Sequence, residues 1–513
     1  NSLAANTTAS NNTAVGRLSL SGNTTGEYNT AVGSSALYVN TTADNNTAVG
    51  YNALGANTTG TQNTAVGGNS LDAMTTGSYN CAFGYNALGT NSTGGQNTAF
   101  GTNALAVSTG SNNDAFGYNS MASNTTGSSN TALGGYTLDA NTTGGNNTAV
   151  GIYALTSNTT GSRNTAVGRV SLENNTEGDD NTAVGKDALE GNTTGSYNTA
   201  VGSLALTANT TGTKNDAFGY GAGGSITTGA SNTCLGTQSG DSISTGNYNV
   251  AIGVAALQSI TDDSNNVAVG YRSLYNSTAS NNTAVGRDSL YTNTSGQNNS
   301  AVGHNSLQAN TTGNNNTTVG YSALSGNTTG YSNATFGYSA GGSITTGANN
   351  VCIGKNAGES DSPGGTIITS SNQIVLGNND HTYFGCKISL SVTSDERDKT
   401  NIKDFTPGLS WINKLRPVTY HWDQRSDYSD DLSVVPDGTH KKSKLNIGLI
   451  AQEELEVEKE HGFANNKDDM LITDLSEDGN HFSMKYERLV PVLVNAIKEL
   501  SAEVEQLKSQ LNN

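Results

Sequence analysis

The stretch Asn12-Thr-Ala-Val-Gly16-Arg-Leu-Ser-Leu20-Ser-Gly-Asn-Thr-Thr-Gly26-Glu-Tyr-Asn29 decides the fold, because the pattern that opens it begins again at its last residue, as Asn29-Thr-Ala-Val-Gly33. The closing Gly returns at 50, 67, 84, 101, 117 and onward to 354, at a step of 17 that drops to 16 twice, giving 21 copies. Gln373-Ile-Val-Leu-Gly377 reads as one further, irregular copy. A short fixed period is the mark of a solenoid, in which each unit contacts only its neighbours.

The columns of the repeat describe the unit. The residue before the Gly is bulky and apolar in all 21 copies (Val15, Phe83, Leu133 and Ile353 among them), and the one before it is Ala in 17. This reading puts the Val/Phe/Ile stack on one wall of the core. Four residues after the Gly, Leu or Met stands in 17 copies, and the four exceptions carry Gly. In three of those, Ile226, Ile243 and Ile344 follow three residues later and return a branched apolar side chain to a thin interior. Asn stands four before the Gly in every copy, at Asn12, Asn29, Asn46, Asn63 and on to Asn350. Identical amides on successive turns can bond along the axis and satisfy the turn backbone, so this column is expected to be a structural ladder. The Gly column marks a turn through positive φ or a close approach of backbone. A second Gly, in NTTG, reads as the opposite turn, so each unit is predicted to hold two short strands and two turns. At about 4.8 Å per strand spacing, such a stack is roughly 100 Å long. An interior this narrow is expected to bury a further face against copies of itself, and a homotrimer is predicted.

Composition agrees with ordered polarity. In 513 residues there are 63 Gly, 13% charged and 6% aromatic residues, which excludes ordinary globular packing, while 5 Pro argue against disorder. A net charge of −18 excludes nucleic acid and anionic membranes as partners, and no run approaches 18 apolar residues, so no membrane insertion is expected. The chain starts mid-pattern without Met, which predicts a missing N-terminal region for attachment. Cys81, Cys234, Cys352 and Cys386 form neither a disulfide framework nor a zinc pattern and read as filler. No cofactor and no metal is expected; a calcium-binding roll would need Gly-Gly-x-Gly-x-Asp repeats.

The NTAVG…AL…G recurrence resembles the head repeats of trimeric autotransporter adhesins. That resemblance implies an all-β solenoid, a left-handed parallel β-roll with three chains around one axis. Because the usual head repeat is shorter than 17, an interleaved triple β-helix is the alternative.

Charge separates a second territory. Residues 1–393 hold 9 basic and 19 acidic side chains, and residues 394–513 hold 15 and 23. The expected organisation is a repeat over 1–377, a connector over 378–393 with its seam at Tyr383–Thr393, and a small α+β module over 394–513. A helix is predicted over 486–511, with Leu493, Ile497, Leu500, Val504, Leu507 and Leu511 at alternating spacings of four and three as a coiled-coil seam. Its β-branched/Leu pattern alone favours a dimer, and the trimer expected of the repeat overrides it.

Ser394-Asp-Glu-Arg-Asp-Lys399 opens the module, followed by TNIKDF, LRPVTYHWD, IGLIAQE and YERLVPVLVNAIKEL. This ordered set resembles the intramolecular chaperone auto-processing domain at the C-termini of phage tail fibres, tailspikes and endosialidases. The insertion 426–444 has no counterpart there. The resemblance implies that three such domains assemble first, hold the chains in register, and then cut themselves off at Thr393–Ser394. Uniform repeats can pair one unit out of step at little cost, so register has to come from outside them. The resemblance makes Ser394 the nucleophile and Lys399 its base, with Asp395 and Arg397 in support, since a Ser hydroxyl needs a base and Lys serves when burial lowers its pKa. The spacing of five does not by itself bring the two together.

None of the six His stands with a Ser and an acid, and the paired carboxylates Asp179-Asp180 and Asp262-Asp263 fall in turns. The expected function is a trimeric fibre, a phage tail fibre attaching to a host cell-surface glycan or protein receptor and joined to other virion tail proteins through the missing N-terminal region. The expected location is the virion or the cell surface, and the one catalytic act is self-cleavage. The alternatives are a bacterial cell-surface trimeric adhesin and a polysaccharide-depolymerising tailspike.

Overall fold

The computed structural model describes residues 1–381, 383–385, 392–429, 433–477 and 479–512. Cys386, much of the connector and part of the 426–444 insertion lie outside the described residues. The fold is a parallel β-solenoid of about 20 turns, followed by a small region of short sheets and a C-terminal helix. The chain divides into two compact units, Asn1–Asn299 and Ser300–Asn513. The first holds seventeen three-residue strands, β1 (Thr13–Val15) to β17 (Thr283–Val285). The second holds β18 (Ser300–Val302), β19 (Thr317–Val319), β20 (Ala334–Phe336), β21 (Val351–Ile353) and β22 (Ile374–Leu376), then the C-terminal module.

Each coil stacks on the next within one chain and in strict register: Thr13 faces Thr30, Ala14 faces Ala31 and Val15 faces Val32. Within this one chain that pairing makes a solenoid. The register survives changes in coil length. Thr98 pairs with Asp114 across a 16-residue coil, and Val351 pairs with Ile374 across one of 23.

Two expectations are corrected. The Val/Phe/Ile column is not a wall of the core: Ala31, Ala48 and Ala99 are fully buried, whereas Val32 is 36% and Phe100 52% exposed. Successive side chains of a strand face opposite ways, so a three-residue strand sends only its centre inward. The centre here is the small Ala, because the space opposite is filled by the Leu column. A second correction concerns strand number. Each coil has one strand, and the Leu segment is a series of turns whose alternate residues are left-handed, as at Asn52 (φ 56) and Leu54 (φ 52). Inter-coil bonds persist there, with the Leu37 N–H donating to Ala53 O at 3.0 Å and that of Leu54 to Ser70 O at 3.0 Å. A left-handed Leu costs about 1–2 kcal/mol, and burying its side chain returns about 1.5–3 kcal/mol.

That backbone explains the four Gly exceptions. Gly223, Gly240, Gly341 and Gly358 occupy the Leu column with φ of 59, 59, 61 and 83°. A Cβ at Gly223 would lie 3.0 Å from Ile226 Cδ1, so Ile226 fills the volume that Leu leaves. The fourth copy is repaired too, by Ile367, whose Cδ1 lies 3.4 Å from the equivalent point at Gly358. Six extra residues hide that partner from a 17-residue alignment.

The invariant Asn are bonded from coil to coil, and from Asn29 onward they are buried, with Asn12 half-buried. Asn29 Oδ1 accepts the Asn46 N–H at 2.9 Å, and Asn46 Nδ2 donates to Gly60 O at 2.9 Å. A second, interrupted ladder runs through the Asn of NTTG, with Asn57 Nδ2 donating to Asn40 Oδ1 at 2.9 Å. It stops where Ile226 and Ile344 replace the amide, leaving Asn209 Oδ1 and Asn327 Oδ1 without a hydrogen-bond partner among the described residues. The closing Gly column is obligatory on two counts: Gly50 has φ 143°, and a Cβ there would sit 2.4 Å from Gly67 O.

In the C-terminal module, β23 (Val418–Tyr420) pairs antiparallel with β24 (Asn446–Gly448), and β25 (Thr473–Leu475) with β26 (Phe482–Met484). The helices are α1 (Leu409–Ile412), α2 (Ala451–Glu460) and α3 (Leu489–Leu511), the last extended by a 3-10 turn over Tyr486–Arg488. Trp411, Val457, Ile472, Leu489 and Val492 form the core. Helix α3 packs inward through Leu489, Val492 and Ala496, while the whole seam from Leu493 to Leu511 faces outward and is exposed.

Candidate functional site

Ser394, Asp395, Arg397 and Lys399 are gathered by one 3-10 turn, Glu396–Asp398. Asp395 caps it, accepting the Arg397 N–H at 2.9 Å, and binds the same residue's guanidinium with Nη2 at 2.6 Å from Oδ2. The Arg397 side chain, then its backbone bond, hold the Asp395 carboxyl below the usual carboxylate range. The turn folds Lys399 back over the motif's first residue, so that Nζ donates to Ser394 Oγ at 2.6 Å and to Ser394 O at 3.3 Å. A spacing of five closes in this way because a 3-10 turn takes about three residues. Thr393, Ser394 and Lys399 are all exposed. A Lys takes a hydroxyl proton only once desolvated, and the single chain does not supply that burial.

Elsewhere in the module two carboxylates that the sequence did not single out hold backbone and ring N–H groups. Glu458 is fully buried in α2 and accepts the N–H groups of Leu471, Ile472 and Thr473 at 2.9, 2.9 and 2.6 Å. Glu454, one turn earlier, accepts Trp411 Nε1–H at 2.9 Å. Burial pushes the Glu454 carboxyl up to about 7, against the Trp411 bond and with the repulsion of Glu458. In AQEELEVEKE these glutamates look like a solvated helix face, and only their four-residue spacing hinted at a shared direction.

The other chemical candidates have ordinary employment. Asp180 is bound by Arg163 Nε at 2.7 Å, and Asp179 caps the Ser162 N–H at 2.7 Å. Asp262 and Asp263 accept from the Thr261 and Ser280 hydroxyls at 3.0 Å each. His461 Nε2 lies 3.2 Å from Ser410 Oγ, but its Nδ1 meets Val457 O rather than a carboxylate. Among the described residues no group of three or more His, Cys, Asp or Glu could hold a metal ion, and no helix is long and apolar enough to cross a membrane.

A β-solenoid that ends in a small module opened by a Ser-Lys turn defines the class: a fibre-like repeat with an appended C-terminal domain. Residues 394–463 match the family model described as chaperone of endosialidase, and the match begins at Ser394 itself. Residues 394–463 are thus similar to that chaperone family, and their union with a β-solenoid fits a phage tail fibre with a C-terminal chaperone domain. No curated protein matches the chain significantly.

Proposed function

We propose that the chain is the subunit of a homotrimeric phage tail fibre that attaches to a glycan or protein receptor on the host surface. Its C-terminal module drives trimerisation, sets the register of the repeats, and then cuts the Thr393–Ser394 bond. The observation that carries this reading is the 2.6 Å contact of Lys399 Nζ with Ser394 Oγ at the first residue of the chaperone match.

Two exposed apolar surfaces support assembly. One is the outward Val/Phe/Leu/Ile column of the repeat, and the other is the seam of α3. Contiguous apolar surface of this kind is characteristic of interaction faces, and heptad spacing along α3 suits a coil of several chains. Assembly also supplies what the isolated chain lacks, a second surface to desolvate Lys399, so cleavage follows trimerisation.

In the cut, Ser394 Oγ attacks the carbonyl carbon of Thr393 while Lys399 Nζ takes the hydroxyl proton. The Thr393–Ser394 amide breaks as its nitrogen is protonated and becomes the new N-terminus of the fragment. Water then hydrolyses the resulting ester. Denaturing mass spectrometry is expected to find wild-type protein broken at 393/394 and Ser394→Ala protein intact yet trimeric. Cleavage of Ser394→Ala at the same bond would remove Ser394 as nucleophile.

A further inference from the structure

In several coils of the repeat a backbone triplet sends all three N–H groups to a single oxygen. Those of Thr227, Thr228 and Gly229 converge on Ser244 O at 2.9, 3.4 and 3.2 Å. Those of Thr328, Thr329 and Gly330 converge on Thr345 O at 2.8, 3.3 and 3.4 Å. The acceptor is the first residue of the same triplet one coil later, so the donors of this column all face the C-terminal end. At the last coil the rule has to fail. Thr345 donates to Ile368 O at 2.8 Å, which makes Ile368-Thr369-Ser370 the final triplet. Among the described residues no coil follows β22 to supply a carbonyl.

Glu477 supplies the oxygen instead. From the turn between β25 and β26, its Oε2 accepts the N–H groups of Ile368, Thr369 and Ser370 at 3.0, 3.0 and 2.8 Å. Its Oε1 accepts the Thr369 N–H at 2.8 Å and also the Thr369 hydroxyl. The hydroxyl contact copies the column as well, since Thr328 Oγ1 donates to Thr345 O at 3.2 Å. Successive backbone N–H groups in a turn form a concavity suited to an anion, and a carboxylate brings a full charge where a carbonyl brings a partial one. Burial raises the Glu477 carboxyl, but the Thr369 hydroxyl and the three N–H groups outweigh it and hold the group at about 2.

We propose that Ile368-Thr369-Ser370 is a carboxylate-binding site, and that Glu477 fills it as a stand-in for the missing next rung. The inference rests on the chaperone reading above and deepens it: the module recognises one coil among near-identical ones by the triplet that, among the described residues, has no later coil to take its donors. A grip displaced to 227–229 or 328–330 would find those donors already engaged. The side chain therefore gives the repeat both its end and its point of reference, and departure of the module empties the site.

Hydrogen exchange of the full-length Ser394→Ala chain, read on peptides covering 366–372 and 328–347, tests this. In Glu477→Ala the terminal peptide is expected to exchange roughly tenfold faster or more while the internal one is unchanged. Glu477→Gln, which keeps one acceptor oxygen, should fall between, and added acetate should slow exchange in Glu477→Ala. Equal exchange of 366–372 with and without Glu477 would overturn the proposal. Should the alanine chain not fold, the glutamine chain decides on the same peptide, and an unchanged rate there overturns it equally. Failure of the chaperone reading would appear elsewhere, as correctly matched trimers of a chain ending at Thr393.

Discussion

Asn46 and Glu458 are both fully buried, and both spend their polar atoms on backbone, yet they do so on different terms. Asn46 bonds the coil before and the coil after through groups that every other coil also offers. Glu458 gathers three N–H groups that occur once, at 471–473. A neutral amide repeated along an axis is stable and indifferent to which coil is which; a carboxylate used once is specific to one address. In the proposed assembly the repeat supplies length, and the module supplies position.

The contrast between repeat and module is sharpest at glycine. Gly50→Ala combines a forbidden φ with a Cβ 2.4 Å from Gly67 O, whereas Gly438→Ala in the module meets only its φ of 92°, with nothing within 4 Å. The first is expected to cost about 3 kcal/mol or more and the second about 1–2 kcal/mol. Thermal unfolding of the two variants checks the order, and equal losses would show that the coils do not stack as closely as described.

Asn46→Ala tests the ladder itself. It leaves the Asn63 N–H without its partner, at about 1–3 kcal/mol, while Gly60 O keeps the bond from Asn57 Nδ2. Since coils contact only neighbours, the loss should be local. Hydrogen exchange is expected to quicken around 43–63 and to stay unchanged ten coils away.

The effect at Glu454 depends on pH. Its carboxyl is raised to about 7 in the fold, against an ordinary value near 4.3 in an unfolded chain. Between these values the folded state holds a proton that the unfolded state has lost, so stability of the module falls as pH rises through that window and levels off above it. Glu454→Gln is expected to flatten the dependence and to raise stability at pH 8 by roughly 2 kcal/mol. Parallel pH profiles of the two proteins would sink the assignment.

How far the sequence could be read depends on the same contrast. The period, the Gly column and the Leu-to-Gly exchanges repaired by Ile226, Ile243 and Ile344 were legible because repetition multiplies each signal. The facing of Val15 and its kin was misread, since a two-residue Ala-Val pair does not declare which member points inward and size favoured the wrong one. No propensity predicts a column of left-handed Leu; stacking bonds impose it. In the module, the helix over 486–511 and the opening motif were legible, and the 3-10 turn that joins Ser394 to Lys399 was not. Glu458 and Glu477 act through backbone N–H groups, which leave no trace in side-chain pattern.

Strands β6 and β7 keep their pairing across 16 residues, and β21 and β22 keep theirs across 23. Loops can thus be trimmed or grafted between strands, and complete rungs duplicated or deleted by recombination between near-identical coding segments. Each such event changes extension by one increment of about 4.8 Å and leaves the two ends chemically as they were. Related genes should accordingly differ by integral numbers of rungs far more often than by fractions of one.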